Sequence, residues 1–137
     1  MRYDKIELIY QQIANKFVEM IPTEWNKILL FCEVGEGTNS IHYVFYERFN
    51  NKANDSESLI NEFGMSRDTE MMYSIEISEL IMKLQKAFVE QGLERWNIVT
   101  FILESTGEFK FDFEYVDLDA SDEIIRRKEW EDKYINV

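Results

Sequence analysis

The chain has 137 residues, with 15 Lys plus Arg against 27 Asp plus Glu and a formal net charge of -12 near pH 7. That balance argues against broad nucleic-acid binding, which draws its free energy from neutralising phosphates with cations, and against attachment to an anionic membrane surface. With 45% hydrophobic and 15% aromatic residues the chain is too apolar for a disordered acidic tail, so the charge belongs to a folded protein, read by its length as one domain over residues 1–137.

In the first segment Ile6, Ile9, Ile13, Phe17 and Met20 recur at steps of three and four, which predicts a helix that Pro22 ends. Two stretches rich in aromatic and branched residues follow, 25–34 and 41–49, with GEGTNS between them; they read as an antiparallel hairpin. The polar run NNKANDSES reads as a loop, and the short apolar piece 59–65 as a third strand. Beyond Ser66 the period changes. Tyr73, Ile77, Leu80, Ile81, Leu84 and Phe88 form a helical stripe, and Gly92 suits its C-terminal end.

Residues 96–103 are almost continuously apolar, as in an interior strand. Residues 108–115 alternate strictly, with Phe109, Phe111, Phe113 and Tyr115 on one face and Glu108, Lys110, Asp112 and Glu114 on the other. The link STGE closes a second tight hairpin. The final run, DASDEIIRRKEWEDKY, reads as a helix capped by Asp119 or Ser121, with Ile124, Ile125 and Trp130 as its apolar contacts. The fold class is therefore α+β: an antiparallel sheet of four to five strands packed against two amphipathic helices, with a C-terminal helix. The charged face of the last strand cannot be buried cheaply, so part of the sheet should meet water or a polar partner.

The sequence is poor in signs of chemistry. Cys32 is the only cysteine, which rules out an internal disulfide and a cysteine-based zinc site. Asp4, Lys5 and Glu7 interrupt the first apolar stretch, so it does not resemble an export signal, and no apolar run approaches the length of about 18 residues that spans a membrane. The expected setting is the reducing cytoplasm. His42, the only histidine, has no nucleophile and acid at a triad spacing, and reads as a strand surface or partly buried residue. The GEG at 35–37 lacks the spacing and lysine of a phosphate loop. Met71, Met72 and Met82 could line an adaptable groove, but their helical spacing fits core or boundary positions better. Trp25, Trp96, Trp130 and Tyr134 are possible interface anchors.

The acidic run is the strongest local feature. Between Glu104 and Glu123 stand eight acids and one cation, Lys110. Asp112 and Glu114 share a strand face and could approach a divalent ion, which keeps a small metal-dependent hydrolase as an alternative. Solvated acid or a protein-binding surface accounts for the same residues more simply. A nuclease would need to gather a polyanion, and this charge opposes it, whereas an inhibitor of a basic nuclease would gain from it.

Four blocks carry a resemblance across nearly the whole chain: IANKFVEMIPTEW, YSIEISELIMKLQKAFVEQGLERWN, GEFKFDFEYVD and RRKEWEDKY. Together they resemble the YezG-like antitoxin or immunity protein family of Gram-positive bacteria. The resemblance implies a non-enzymatic protein that binds and neutralises a nuclease toxin linked to type VII secretion, with no cofactor, no metal and no catalytic residue. The partner would be the toxin's basic C-terminal domain, covered at its cleft. The candidate contacts are Glu108, Asp112, Glu114, Asp117 and Asp119 in the acidic stretch, with Trp130 and Tyr134 as anchors. A scaffold with a non-nuclease partner is a second alternative. An exposed edge strand could also pair two copies as a homodimer when the toxin is absent.

Overall fold

A computed structural model describes residues 4–35 and 38–135. Helix α1 (Asp4–Met20) is followed by β1 (Trp25–Gly35), β2 (Thr38–Glu47), β3 (Ala53–Asn54), α2 (Ser56–Asn61) and α3 (Arg67–Glu90). Strands β4 (Ile98–Glu104) and β5 (Phe109–Glu114) and helix α4 (Glu123–Tyr134) complete the chain. The five strands form one antiparallel sheet in the order β3-β2-β1-β4-β5. Of the GEGTNS stretch expected to turn between the first two strands, residues 36 and 37 lie outside the described residues. Thr38, Asn39 and Ser40 already belong to β2 and pair with Gly35, Val34 and Glu33 of β1 as a hairpin.

Strand parity divides the sheet into two faces. Ile28, Leu30 and Cys32 of β1, Tyr43 and Phe45 of β2, and Val99, Phe101 and Leu103 of β4 meet Ile13, Phe17, Ile77, Ile81 and Leu84 of α1 and α3 in the main core. Phe17 lies between the rings of Tyr43 and Phe101, at 5.9 and 5.8 Å. Each such side chain stabilises the fold by about 1.5–3 kcal/mol when fully buried. The two amphipathic helices thus cover one face, as their apolar stripes require. A second, smaller cluster of Leu29, Phe31, Ile98 and Trp130 lies on the other face, under α4. The fold is α+β with helices on both sides of the sheet.

Local chemistry explains the element ends. Ser66 caps α3 through a bond from the Thr69 backbone N–H. At the other end the amides of Gly92 and Leu93 return to the carbonyls of Val89 and Phe88, with Gly92 at φ +78°. That geometry needs the left-handed backbone glycine supplies, and it turns Leu93 back onto the core. In the β4–β5 link, Gly107 at φ +95° donates its N–H to the Glu104 carbonyl, closing the short hairpin.

Four expectations need correction. Residues 59–65 do not form a strand. Asp55 and Ser58 make a reciprocal capping box that starts α2, Leu59 is that helix's buried contact, and the third strand is the two-residue β3 inside the expected loop. Asp122, and neither Asp119 nor Ser121, caps α4, accepting from the Ile124 N–H at 2.7 Å. Ile124 and Ile125 are 78% and 54% exposed, so α4 packs through Trp130, with Tyr134 and Ile135 beside it. Met71, Met72 and Met82 lie on the exposed side of α3, because Ile77, Ile81, Leu84 and Phe88 already fill its inward face.

Candidate partner-binding surface

The acidic stretch runs along β5 at the edge of the sheet, through residues 115–122, and into the start of α4. Two anchors hold α4 against the sheet there. Glu33 of β1, only 5% exposed, receives a two-pronged pair from Arg126, with Nε to Oε2 at 2.6 Å and Nη2 to Oε1 at 2.9 Å. The remaining Arg126 nitrogen donates to the carbonyls of Leu118 and Ser121. The Glu33 carboxylate raises the guanidinium's pKa above its ordinary value, so the cation is fixed. One arginine therefore organises the loop, the helix start and the central strand together.

Trp130 is the second anchor. Its indole stacks on Phe31 at 5.2 Å, and its Nε1 donates to Thr100 Oγ1 at 3.0 Å. Burying an indole with its N–H satisfied is the favourable way to use this side chain inside a protein. Next to it, Tyr134 donates to Asp112 Oδ2 at 3.1 Å, and Lys110 pairs with Asp112 Oδ1 at 3.5 Å. His42 meets the Trp130 ring edge-on at 5.8 Å and faces Arg127 Nη2 at 3.4 Å. Burial first, and then the nearby Arg127 charge, pull the His42 pKa down to about 4, so the ring is neutral at pH 7. It is a packing and acceptor group beneath α4.

These contacts separate the candidate residues by role. Trp130 is buried and Tyr134 half-buried, so both hold α4 on the sheet in the free protein. Trp96 is also buried, with Phe88 and Phe113 around it, and Trp25 packs half-buried against the main core. Asp112 is engaged by Tyr134 and Lys110, and Asp117 accepts from the Asp119 backbone N–H at 2.9 Å, shaping the turn. Glu108, Glu114 and Asp119 are exposed, and their carboxylates make no hydrogen bond or ion pair among the described residues. Glu114, Asp117, Trp130 and Tyr134 come together around a cleft of 340 Å³ between β5, residues 116–121 and α4. Glu108 and Asp119 do not line it.

Sequence reasoning missed Glu33 and Arg126, which lie 93 positions apart. The only available signal was Glu33 itself, an acid inside the apolar run ILLFCEV, where a buried charge needs a partner. No group of three or more metal-ligating side chains occurs among the described residues. Cys32 is buried, and burial pushes its thiol pKa up to about 12, which leaves it neutral and inert. No helix of the described residues is long and apolar enough to cross a membrane.

A family model for YezG-like immunity proteins matches residues 6–137. Immunity protein YezG of Bacillus spizizenii is 31% identical over 114 residues, covering 83% of this chain and 71% of the relative. Immunity protein YezG of Bacillus subtilis strain 168 is 30% identical over 131 residues, covering 94% and 87%. The type VII secretion system protein EsaG of Staphylococcus aureus is 26% identical over 114 residues, covering 83% and 70%. With the α+β fold, the acidic sheet edge and this match over almost its full length, the chain belongs to the YezG-like immunity protein family.

Proposed function

We propose that this protein is a cytoplasmic antitoxin that binds the basic nuclease domain of a cognate secreted toxin and covers its catalytic cleft. Family membership supports an immunity role, and it fits a protein that inhibits by contact and carries out no reaction of its own. The observation that carries the choice of surface is the set of exposed acids Glu108, Glu114 and Asp119, whose charges no cation of the described chain neutralises. Such charges cost little while hydrated and become attractive when a cationic cleft approaches. Asp112 and Asp117 add to the same field while serving the fold. The partner's nucleic-acid site is occupied, so the antitoxin itself needs no affinity for nucleic acid.

The test uses the purified basic nuclease domain of the cognate toxin. An equimolar amount of the antitoxin should abolish nuclease activity, and a full-strength nuclease in excess antitoxin sinks the proposal. The triple variant Glu108→Lys, Glu114→Lys and Asp119→Lys alters three exposed side chains whose carboxylates make no hydrogen bond or ion pair among the described residues, so it should fold. It should lower the association rate constant by about tenfold or more at low salt, with a smaller change in dissociation. An unchanged rate assigns the contact elsewhere on the molecule.

A further inference from the structure

We propose that the open edge of β5 receives an extended segment of the protein partner as a sixth strand, with Lys or Arg at alternate positions of that segment and apolar side chains between them. The proposal rests on the partner-binding reading above and adds the manner of contact.

The sheet ends differently at its two sides. At one side lies β3, two residues long and followed directly by α2. At the other lies β5, six residues whose pairing with β4 runs without a slip from Ile98↔Glu114 to Leu103↔Phe109. The Glu104 amide donates to the Glu108 carbonyl at 2.8 Å, and the Asn97 amide to the Glu114 carbonyl at 3.1 Å. Even-numbered residues of this strand therefore turn their backbone groups toward β4. Alternation turns the N–H and C=O groups of Phe109, Phe111 and Phe113 outward. Among the described residues no strand pairs with that edge.

An unpaired row of this kind is a template for another strand. Proteins block such edges with proline, a bulge or a covering strand or helix; β5 holds no proline and no bulge, and no described strand pairs with its outer side. β5 does carry charge, and the sign of the charge selects the guest. On the α4 side an added strand would lie beside Lys110, Asp112 and Glu114, with Glu108 just beyond the strand end. Lys110 is already matched by Asp112 at 3.5 Å, so the surplus there is negative. A second copy would bring the same acids and its own net charge of -12 to meet them. A segment with alternate basic residues instead finds cross-strand partners of opposite sign. On the α1 side, Tyr10 stacks on Phe111 at 4.2 Å and Phe109 is 38% exposed, so the aromatic ladder stops at the edge with its flank uncovered. Apolar residues of the guest would continue that ladder.

The experiment uses the full chain and a blocked peptide of four Lys-Val repeats, with a Glu-Val version and a version N-methylated on its edge-facing amides as controls. Amide exchange followed by NMR is the readout. The Lys-Val peptide should slow exchange at Phe109, Phe111 and Phe113 by about tenfold or more, with Lys110 and Asp112, already paired to β4, unchanged. Neither control should do so. The variant Phe109→Pro, which removes an outward N–H, should weaken binding of the Lys-Val peptide more than Phe109→Ala, which keeps it. Binding without slowed exchange at the three Phe amides, equal binding of the Glu-Val peptide, or no binding at millimolar peptide each overturns the proposal. So does slowing at those amides that grows with protein concentration alone, because the edge would then pair with a second copy. Toxin neutralisation is scored separately. If it persists while the peptide fails, only strand addition is lost; a peptide that binds as described supports the open edge even where neutralisation fails.

Discussion

Glu33 is a buried acid that would be costly to leave unpaired. It sits at 5% exposure in the central strand, and its charge is acceptable only because Arg126 meets both carboxylate oxygens. Buried pairs contribute little net stability compared with an apolar pair of the same size, but removing one partner strands the other. Glu33→Gln should therefore lower the unfolding free energy by about 3 kcal/mol, at the lower end of the usual range because Leu118 and Ser121 carbonyls still accept from Arg126. The double variant Glu33→Met with Arg126→Met should regain at least half of that loss. Urea unfolding midpoints of the two variants decide the matter. A double variant no better than the single one would mean that the pair stabilises directly. Arg126 stood in the RRKEWEDKY block with no role attached, and Glu33 stood in no block, so only its place in an apolar run hinted at a pair. An acid in an apolar strand signals that a partner exists, but the identity of that partner is tertiary information.

Side-chain contacts hold helix α4 on the sheet, and His42 lies under it beside Trp130, Arg127 and Glu131. The His42 pKa is about 4 in the folded protein against an ordinary 6.5. Between these values the unfolded chain binds a proton that the native state refuses. The stability associated with neutral His42 is thus complete above about pH 6.5 and is lost as pH falls toward 4, by about 3 kcal/mol at most. His42→Gln keeps an acceptor for Arg127 without the titration. The difference in unfolding free energy between native protein and variant should shrink on going from pH 7 to pH 4.5; a difference independent of pH would remove His42 as the cause. The elements themselves were largely legible. Helices α1 and α3 carry long apolar stripes, and β5 alternates without a lapse, so period alone identifies them. The run at 59–65 was too short for its period to be read, and the deciding signal was the Asp55 and Ser58 cap before it. The pair Ala53–Asn54 becomes a strand only because Tyr46 and Phe45 lie opposite, a fact no local pattern contains. The candidate surface divides in the same way. Alternation and composition located its acids, but Asp112 and Tyr134 are 22 positions apart, and their hydrogen bond, which turns a candidate contact into a support for α4, exists only once β5 and α4 meet.

For the molecule as a whole, the net charge of -12 acts on folding and on binding with opposite sign. Its ion pairs do little to offset the self-repulsion, since Lys5–Glu90, Arg67–Glu57 and Lys52–Glu62 are all about half exposed, and such pairs are worth about 0–1 kcal/mol each. Raising salt from about 0.01 M to about 0.2 M shortens the screening length from about 30 Å to under 10 Å. That removes most repulsion between distant acids while leaving the largely buried Arg126–Glu33 pair nearly intact. The urea midpoint at pH 7 should therefore rise over this range, by an amount equivalent to about 1 kcal/mol. Over the same range the association rate constant with a basic toxin domain should fall by about tenfold, because steering is screened with the repulsion. Measuring both in one salt series separates net charge from local pairing. A midpoint that falls with salt would show that surface ion pairs, and not self-repulsion, govern stability. A rate that ignores salt would show that the toxin docks on an uncharged face. The expected crossing of the two trends reflects an acidic excess that the fold tolerates and the partner uses.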